Sequence, residues 1–335
     1  MTAPGKIEIR EVAPPVPGST EVLLRVHRVG VCGSDVHVNH GRHPYTTYPV
    51  IQGHEYSATI EGLGGDVQGL RVGAKVTSLP QIVCGTCAPC RRGDEHICDS
   101  LKVQGFQAPG CAQELWTTAA SKVVELPDAF SFDEGALIEP LSVAIHAVSR
   151  AGNLAGRNVA VVGGGPIGNL VAQVAKNEGA RVLVADLSPL RLDLAERCGI
   201  EFTSNAGTEK LREASQRAFG REGFDVAFEC VGVEPTITAA IENIQKGGTL
   251  VIVGVFGERP RVDLGLVQDR ELNLRGTLMY QRRDYLRAVE LVATRKIELA
   301  PLMSAHFPLD EYPDAYRFID SERDRAMKIF IDVSS

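Results

Sequence analysis

Asn158-Val159-Ala160-Val161-Val162-Gly163-Gly164-Gly165-Pro166-Ile167-Gly168 is the stretch that decides the fold. The apolar run Asn158 to Val162 reads as a buried strand, and the residues after it fit G-x-G-x-x-G. Gly163 permits a tight turn, Gly165 lets a pyrophosphate approach the backbone, and Gly168 lets a helix pack on the strand. Pro166 and Ile167 open that helix, whose first N–H groups and partial positive charge face the phosphates. Ile167, Leu170, Val171 and Val174 form its apolar face, and Gly179 stops it. The next strand, Arg181 to Ala185, runs into Asp186. A carboxylate there accepts from the adenosine ribose hydroxyls and repels a 2′-phosphate, which favours NAD over NADP. Arg191 is open to two readings: a guanidinium for a 2′-phosphate, or a solvated helix face.

Outward from this unit the alternation continues. Ser188, Pro189 and Gly199 frame a helix, and Phe224 to Glu229, Thr249 to Val253 and Leu272 to Met279 are further strands. Strand–helix alternation predicts a parallel sheet with right-handed crossovers. A helix over Asp284 to Lys296 follows, and the last strand, Met327 to Val333, returns to the first domain. Upstream the chain is β-rich. Glu21 to Val26, Tyr56 to Leu63, Lys75 to Leu79 and Lys122 to Leu126 are short strands spaced by Gly and Pro, the pattern of a small barrel with long loops. Ser131 and Glu134 form a capping box, and Leu137, Leu141, Ile145 and Val148 recur at helical spacing. Pro140 inside that stripe predicts a break or kink in this linking helix.

At 335 residues the chain is long enough for two domains. Hydrophobic content of 44% and charged content of 23% are those of a globular protein. A formal charge of −7 argues against nucleic acid or an anionic membrane as partner. There is no apolar run long enough for a membrane span, and Met1-Thr2-Ala3-Pro4-Gly5-Lys6 lacks the apolar core of a secretory signal. Eight cysteines in such a chain read as reduced thiols in the cytoplasm, where clustering favours metal over disulfides.

Four of those thiols, Cys84, Cys87, Cys90 and Cys98, sit on one loop as overlapping C-x-x-C pairs. A Cys₄ shell fills every position around Zn²⁺ and leaves none for substrate, so this site is structural. A second set is open. Cys32 stands in Gly30-Val31-Cys32-Gly33-Ser34-Asp35-Val36-His37, His54 and Glu55 in Gly53-His54-Glu55-Tyr56, and Glu139 in Ile138-Glu139-Pro140-Leu141. Thiolate, imidazole and carboxylate are the ligands of a catalytic zinc that keeps a place for water or substrate. Singly, each of these residues is ordinary packing or a solvated charge; their combination carries the signal.

With these motifs quoted, the chain resembles the zinc-dependent medium-chain dehydrogenases/reductases of the sorbitol (polyol) dehydrogenase branch. The matching segments are 30–37, 53–55, 84–98, Glu139-Pro140-Leu141-Ser142-Val143, 163–168, and Asp186 with Arg191, and the likeness covers nearly the whole chain. It implies an α/β fold in which a doubly wound, Rossmann NAD-binding domain (143–280) interrupts a GroES-like β-barrel catalytic domain (1–142 and 281–335) bearing a structural zinc lobe (81–100). It places the active site between the two. By resemblance Cys32 and His54 bind a catalytic zinc with Glu55 or Glu139 as third ligand, and Asp35 holds the other N–H of the histidine. The resemblance also puts Val253 and Val255 in the cofactor-binding set. It implies a zinc-bound alkoxide that passes hydride to NAD, with Ser34 and His37 carrying the proton outward. It implies a small-molecule polyol or sugar-derived substrate, and a homo-oligomer, dimer or tetramer, joined near Leu272 to Met279.

Two departures bear on specificity. Sorbitol dehydrogenases resembling this chain carry a tyrosine where Val38 stands, and Arg-Tyr where Met279-Tyr280 stands. Losing two polar anchors changes what a pocket selects. Arg282 and Arg283 either meet an acidic or phosphorylated sugar or form a solvated helix start. Two other activities fit the motifs less fully: L-threonine 3-dehydrogenase, and a zinc-free nicotinamide-binding relative. His40 and His43 lie in a loop that can rim a substrate site, and His96 lies inside the cysteine lobe.

Overall fold

The computed structural model describes residues 1–322 and 325–334. It divides into two units, one of Met1–Glu139, Gln281–Ala293 and Met303–Ser335, the other of Pro140–Tyr280 and Thr294–Leu302. The divide therefore falls at Glu139 rather than 142, and residues 294–302 sit with the second unit rather than with the barrel. Glu298 explains the latter: its N–H donates to Gln173 Oε1 at 2.7 Å and its carbonyl accepts from Gln173 Nε2 at 3.0 Å.

In the first unit a seven-stranded sheet is built around Glu21–Val31. That strand pairs antiparallel with Glu55–Leu63, Leu115–Ala119 and Lys328–Asp332. It runs past the expected end at Val26 because the charge of Arg28 is met by Asp133 at 2.6 Å and Asp332 at 2.8 Å. Val22, Leu24, Val26 and Val29 are fully buried and form the middle of its core with Ala58, Val76 and Ile331. The strand Met303–Pro308, beside Lys328–Asp332, has no apolar run and escapes a sequence reading.

The second unit holds six strands in the order Phe202–Asn205, Arg181–Asp186, Asn158–Val162, Phe224–Glu229, Ile244–Ile252 and Asn273–Gly276. Every adjacent pair is parallel. The order reverses at Asn158–Val162, so the switch point of the sheet lies where this strand meets Phe224–Glu229, and ligands of such sheets bind outside the carboxyl ends there. The edge strand Asn273–Gly276 is shorter than the expected Leu272 to Met279.

The linking helix differs from expectation in a telling way. Its break comes at Leu137, between the helices Phe132–Ala136 and Ile138–Ala151, and Pro140 lies in the first turn of the second. There its missing N–H has no helical partner to lose. The Ser131–Glu134 box caps the first helix, Ser131 Oγ accepting from Glu134 N at 3.1 Å and Glu134 Oε2 from Ser131 N at 2.7 Å. No described helix is long and apolar enough to cross a membrane.

Candidate metal centre and nucleotide site

Cys32 precedes the short helix Gly33–Asn39, and His54 and Glu55 stand at the start of the strand Glu55–Leu63. Gly30 pairs with Glu55 across the barrel sheet, which carries the two segments to one place. One ligand atom from each of Cys32, His54 and Glu55 lies within 4.8 Å of the others, and the histidine and glutamate are buried. Glu139 falls outside that group, though its charge reaches His54 and Lys328. Asp35 Oδ2 accepts from the N–H of Cys32 at 3.0 Å, and Asp35 Oδ1 stands 3.7 Å from His54 Nδ1. Burial works against a charged His54; the Asp35 carboxylate and the Cys32 thiol outweigh it and hold the imidazole well above the usual histidine range. One soft and two harder donors, three in all, suit a zinc that keeps a coordination place free.

A residue that sequence reading missed completes this site. Lys328 is 3% exposed, and its Nζ donates to Glu55 Oε2 at 2.5 Å and to the carbonyl of Val31 at 3.4 Å. Burial opposes its charge; Glu55 and then Cys32 raise its pKa above the ordinary lysine value. The signal was a single lysine in the apolar strand Lys328–Asp332. Ser34 and His37 lie one turn apart on the helix Gly33–Asn39, Ser34 half-buried and His37 exposed, so both face one side. Beside the metal group Phe106 lies 4.8 Å from His54 and stacks on His43 at 4.7 Å.

The four-thiol group also assembles, with Cys90 and Cys98 buried and Cys84 exposed. Amides line its sulfurs: those of Thr86 and Cys87 point at Cys84 Sγ, at 3.4 and 3.3 Å, and those of Cys84 and Ser100 at Cys98 Sγ, at 3.3 and 3.4 Å. The Thr86 and Cys87 amides bring the Cys84 thiol down to about 6, whereas burial pushes Cys90 up to about 12. His96 stays outside the group and meets Gln281 through Nδ1 at 3.1 Å. Arg282 is spent on the barrel backbone, donating to the carbonyls of Ser121 and Val123 at 2.9 and 2.8 Å, while Arg283 is largely exposed.

In the second unit Gly163 has φ +101° and Gly165 faces open space where a Cβ would stand. A Cβ on Gly168 would collide with the Gly163 carbonyl. The turn thus leaves room where a pyrophosphate lies and none where helix meets strand, and the helix Pro166–Asn177 begins at it. Asp186 Oδ2 accepts from Gly164 N at 2.6 Å and Oδ1 from Ser188 N at 2.8 Å, with Arg191 Nη1 3.7 Å away. Its remaining lone pairs are free to take ribose hydroxyls. Val253 is half-buried and Val255 is 72% exposed, in the loop after Ile244–Ile252.

Comparison with known proteins extends this geometry. A family model described as zinc-binding dehydrogenase matches residues 166–294, and one described as alcohol dehydrogenase GroES-like domain matches 18–128. The chain is 37% identical over 320 residues to a 2-dehydro-3-deoxy-L-galactonate 5-dehydrogenase of Pseudoalteromonas atlantica, covering 95% of this chain and 93% of the relative. It is 35% identical to sorbitol dehydrogenase of Bos taurus, covering 98% and 93%. A Sinorhizobium meliloti protein described as a zinc-binding dehydrogenase, solved with NADP bound, superposes with a TM-score of 0.91 at 32% identity, covering 99% of this chain and 97% of that one.

Proposed function

Because the chain belongs to the zinc-dependent medium-chain dehydrogenase family, in its polyol dehydrogenase branch, we propose that it oxidises a secondary hydroxyl of a polyol or sugar derivative to a ketone, with NAD as hydride acceptor. The observation that carries this reading is the coexistence of two kinds of metal group in one chain: four thiols that close a shell, and a three-residue group that does not.

Cys32, His54 and Glu55 would hold the catalytic ion, and Glu139, whose charge reaches His54, would be the carboxylate that exchanges with Glu55. Zinc supplies positive charge that makes a hydroxyl acidic, and the dinucleotide accepts the hydride. Asp35 fixes Cys32 through its amide and faces the far nitrogen of His54, so it orients both. Ser34 would relay the proton from the substrate hydroxyl to the nicotinamide ribose, and His37, exposed on the same helix, would carry it outward to water. Gly163, Gly165, Pro166, Ile167 and Gly168 seat the pyrophosphate, and Asp186 takes the ribose hydroxyls. Asp186 favours NAD, and Arg191 Nη1 stands 3.7 Å from that carboxylate. Two relatives act by name on a sugar acid and on sorbitol, which supports a polyhydroxylated substrate. The exposed edge strand Asn273–Gly276 is the surface through which copies would pair.

The test is NADH formation by zinc-replete protein across a panel of polyols, sugar acids and threonine. Turnover of a polyol or sugar acid is expected. Turnover of threonine alone, or none that responds to zinc, sinks the assignment.

A further inference from the structure

We propose that Glu229 is a positioning residue for the nicotinamide half of the cofactor, locking three loops at the carboxyl end of the parallel sheet into one surface; this rests on the reading of that sheet as a dinucleotide site. Glu229 ends the strand Phe224–Glu229, in register with Val162, which precedes the glycine turn, and with Ile252 of the next strand. Its side chain is fully buried. Oε1 alone accepts three hydrogen bonds, from Val231 N at 3.0 Å, Gly232 N at 2.9 Å and Thr236 Oγ1 at 2.7 Å. Its main-chain carbonyl accepts two more, from Val253 N and Gly254 N, both at 2.8 Å. Oε2 has no hydrogen-bond partner among the described residues.

The loops it ties are interlocked. A Cβ on Gly163 would collide with Val231, one on Gly232 with the carbonyl of Val255, and one on Gly254 with Gly232 and with Glu229 Oε2. The N–H of Cys230 donates to the carbonyl of Val162 at 2.8 Å, closing the tie to the glycine turn. A buried carboxylate held by amides and a hydroxyl is costly to place, so its retention needs a reason beyond filling space. The glycine turn and Asp186 hold the pyrophosphate and adenosine. The remaining half of a dinucleotide would cross the other side of the switch point, where residues 230–233 and 253–255 follow the neighbouring strands. Those are the segments that Glu229 fixes.

AMP and NADH separate the two halves. For zinc-replete E229A, NADH affinity measured by fluorescence titration is expected to fall about tenfold or more while AMP affinity stays within about twofold, as the loss of a charge-assisted acceptor for three donors predicts. E229Q, whose carbonyl oxygen can take the same donors, is expected to recover most of that loss. T236V removes one donor at the start of the helix Glu234–Asn243 and is expected to weaken NADH alone by about threefold; with E229Q it carries the test should E229A not fold. Unchanged NADH affinity in E229A, equal loss of AMP and NADH, or an E229Q no better than E229A overturns the proposal. A wild-type chain that binds AMP and NADH equally weakly would instead sink the dinucleotide reading itself.

Discussion

The two metal groups of this chain are made in opposite ways. The thiol lobe draws all its donors from residues 84–98, lies near the surface, and softens the charge on its sulfurs with backbone N–H groups that the same short loop supplies. The Cys32–His54–Glu55 group draws on segments joined by the barrel sheet, buries its histidine and glutamate, and meets its charge with side chains, Asp35 beside His54 and Lys328 beside Glu55. A local loop that saturates an ion suits holding a fold. A largely buried, under-filled group backed by charge-bearing side chains suits doing chemistry, because charge there acts in a low dielectric.

The sharpest break in that comparison comes from removing one ligand on each side. Cys32→Ser or His54→Ala is expected to lower kcat/KM by about 10³-fold or more, since the metal supplies several kcal/mol of charge stabilisation in the reaction. Metal analysis of either variant should return one zinc per chain instead of two, with the fold retained. Cys98→Ser should do the reverse: the lobe opens to protease between 84 and 98, and activity per folded molecule changes by less than about threefold. A Cys98→Ser protein that loses the chemistry while staying folded would erase the distinction.

The next effect tests whether Lys328 and a bound cation share Glu55. Lys328→Met leaves Glu55 buried without its partner, which in metal-free protein is expected to cost about 3–5 kcal/mol. Zinc should restore much of it, so the rise in melting temperature on adding zinc should be larger in the variant than in the wild type. The thiol lobe leans chiefly on backbone N–H groups instead. Equal zinc responses in the two proteins would mean that Lys328 and the ion do not share Glu55.

How much of this could be read from the sequence follows from how far apart the parts lie. The parallel sheet was legible because a strand, three glycines and Asp186 occupy one contiguous stretch with a fixed periodicity. The thiol lobe was legible for the same reason. The second metal group was legible only as a joint pattern, since nothing in Cys32 alone distinguishes it from buried Cys111. Glu55 against Glu139 was not decidable, because the choice depends on side-chain placement in the barrel. Lys328 was out of reach: its contact with Glu55 spans 273 residues, and burying a lysine in an apolar strand makes sense only once its partner is known. The shift of the helix break from Pro140 to Leu137 belongs to the same class, a cap whose geometry decides what the proline rule leaves open.

The smallest effect concerns the order in which the lobe's thiols react once their metal is gone. The Thr86 and Cys87 amides bring Cys84 to about 6, and burial pushes Cys90 to about 12. At neutral pH Cys84 is therefore mostly thiolate and Cys90 thiol, and Cys84 is also the exposed member. In chelator-treated protein, iodoacetamide should label Cys84 about a hundredfold faster than Cys90, the lower nucleophilicity of a low-pKa thiolate trimming a larger difference in ionised fraction. The sign of the stability effect follows from the same shift. A thiol lowered from 9.0 to about 6 on folding stabilises the folded loop fully above pH 9, and that contribution is gone once the pH falls below about 6. The metal-free lobe should therefore become more protease-resistant as pH rises from 6 to 9. Zinc-loaded protein should show neither the labelling order nor the pH dependence, because the ion replaces the proton on every sulfur. Labelling that starts at Cys90, or a lobe that loosens as pH rises, would mean that its backbone N–H groups do not carry the sulfur charge and that the two groups differ less than their geometry says.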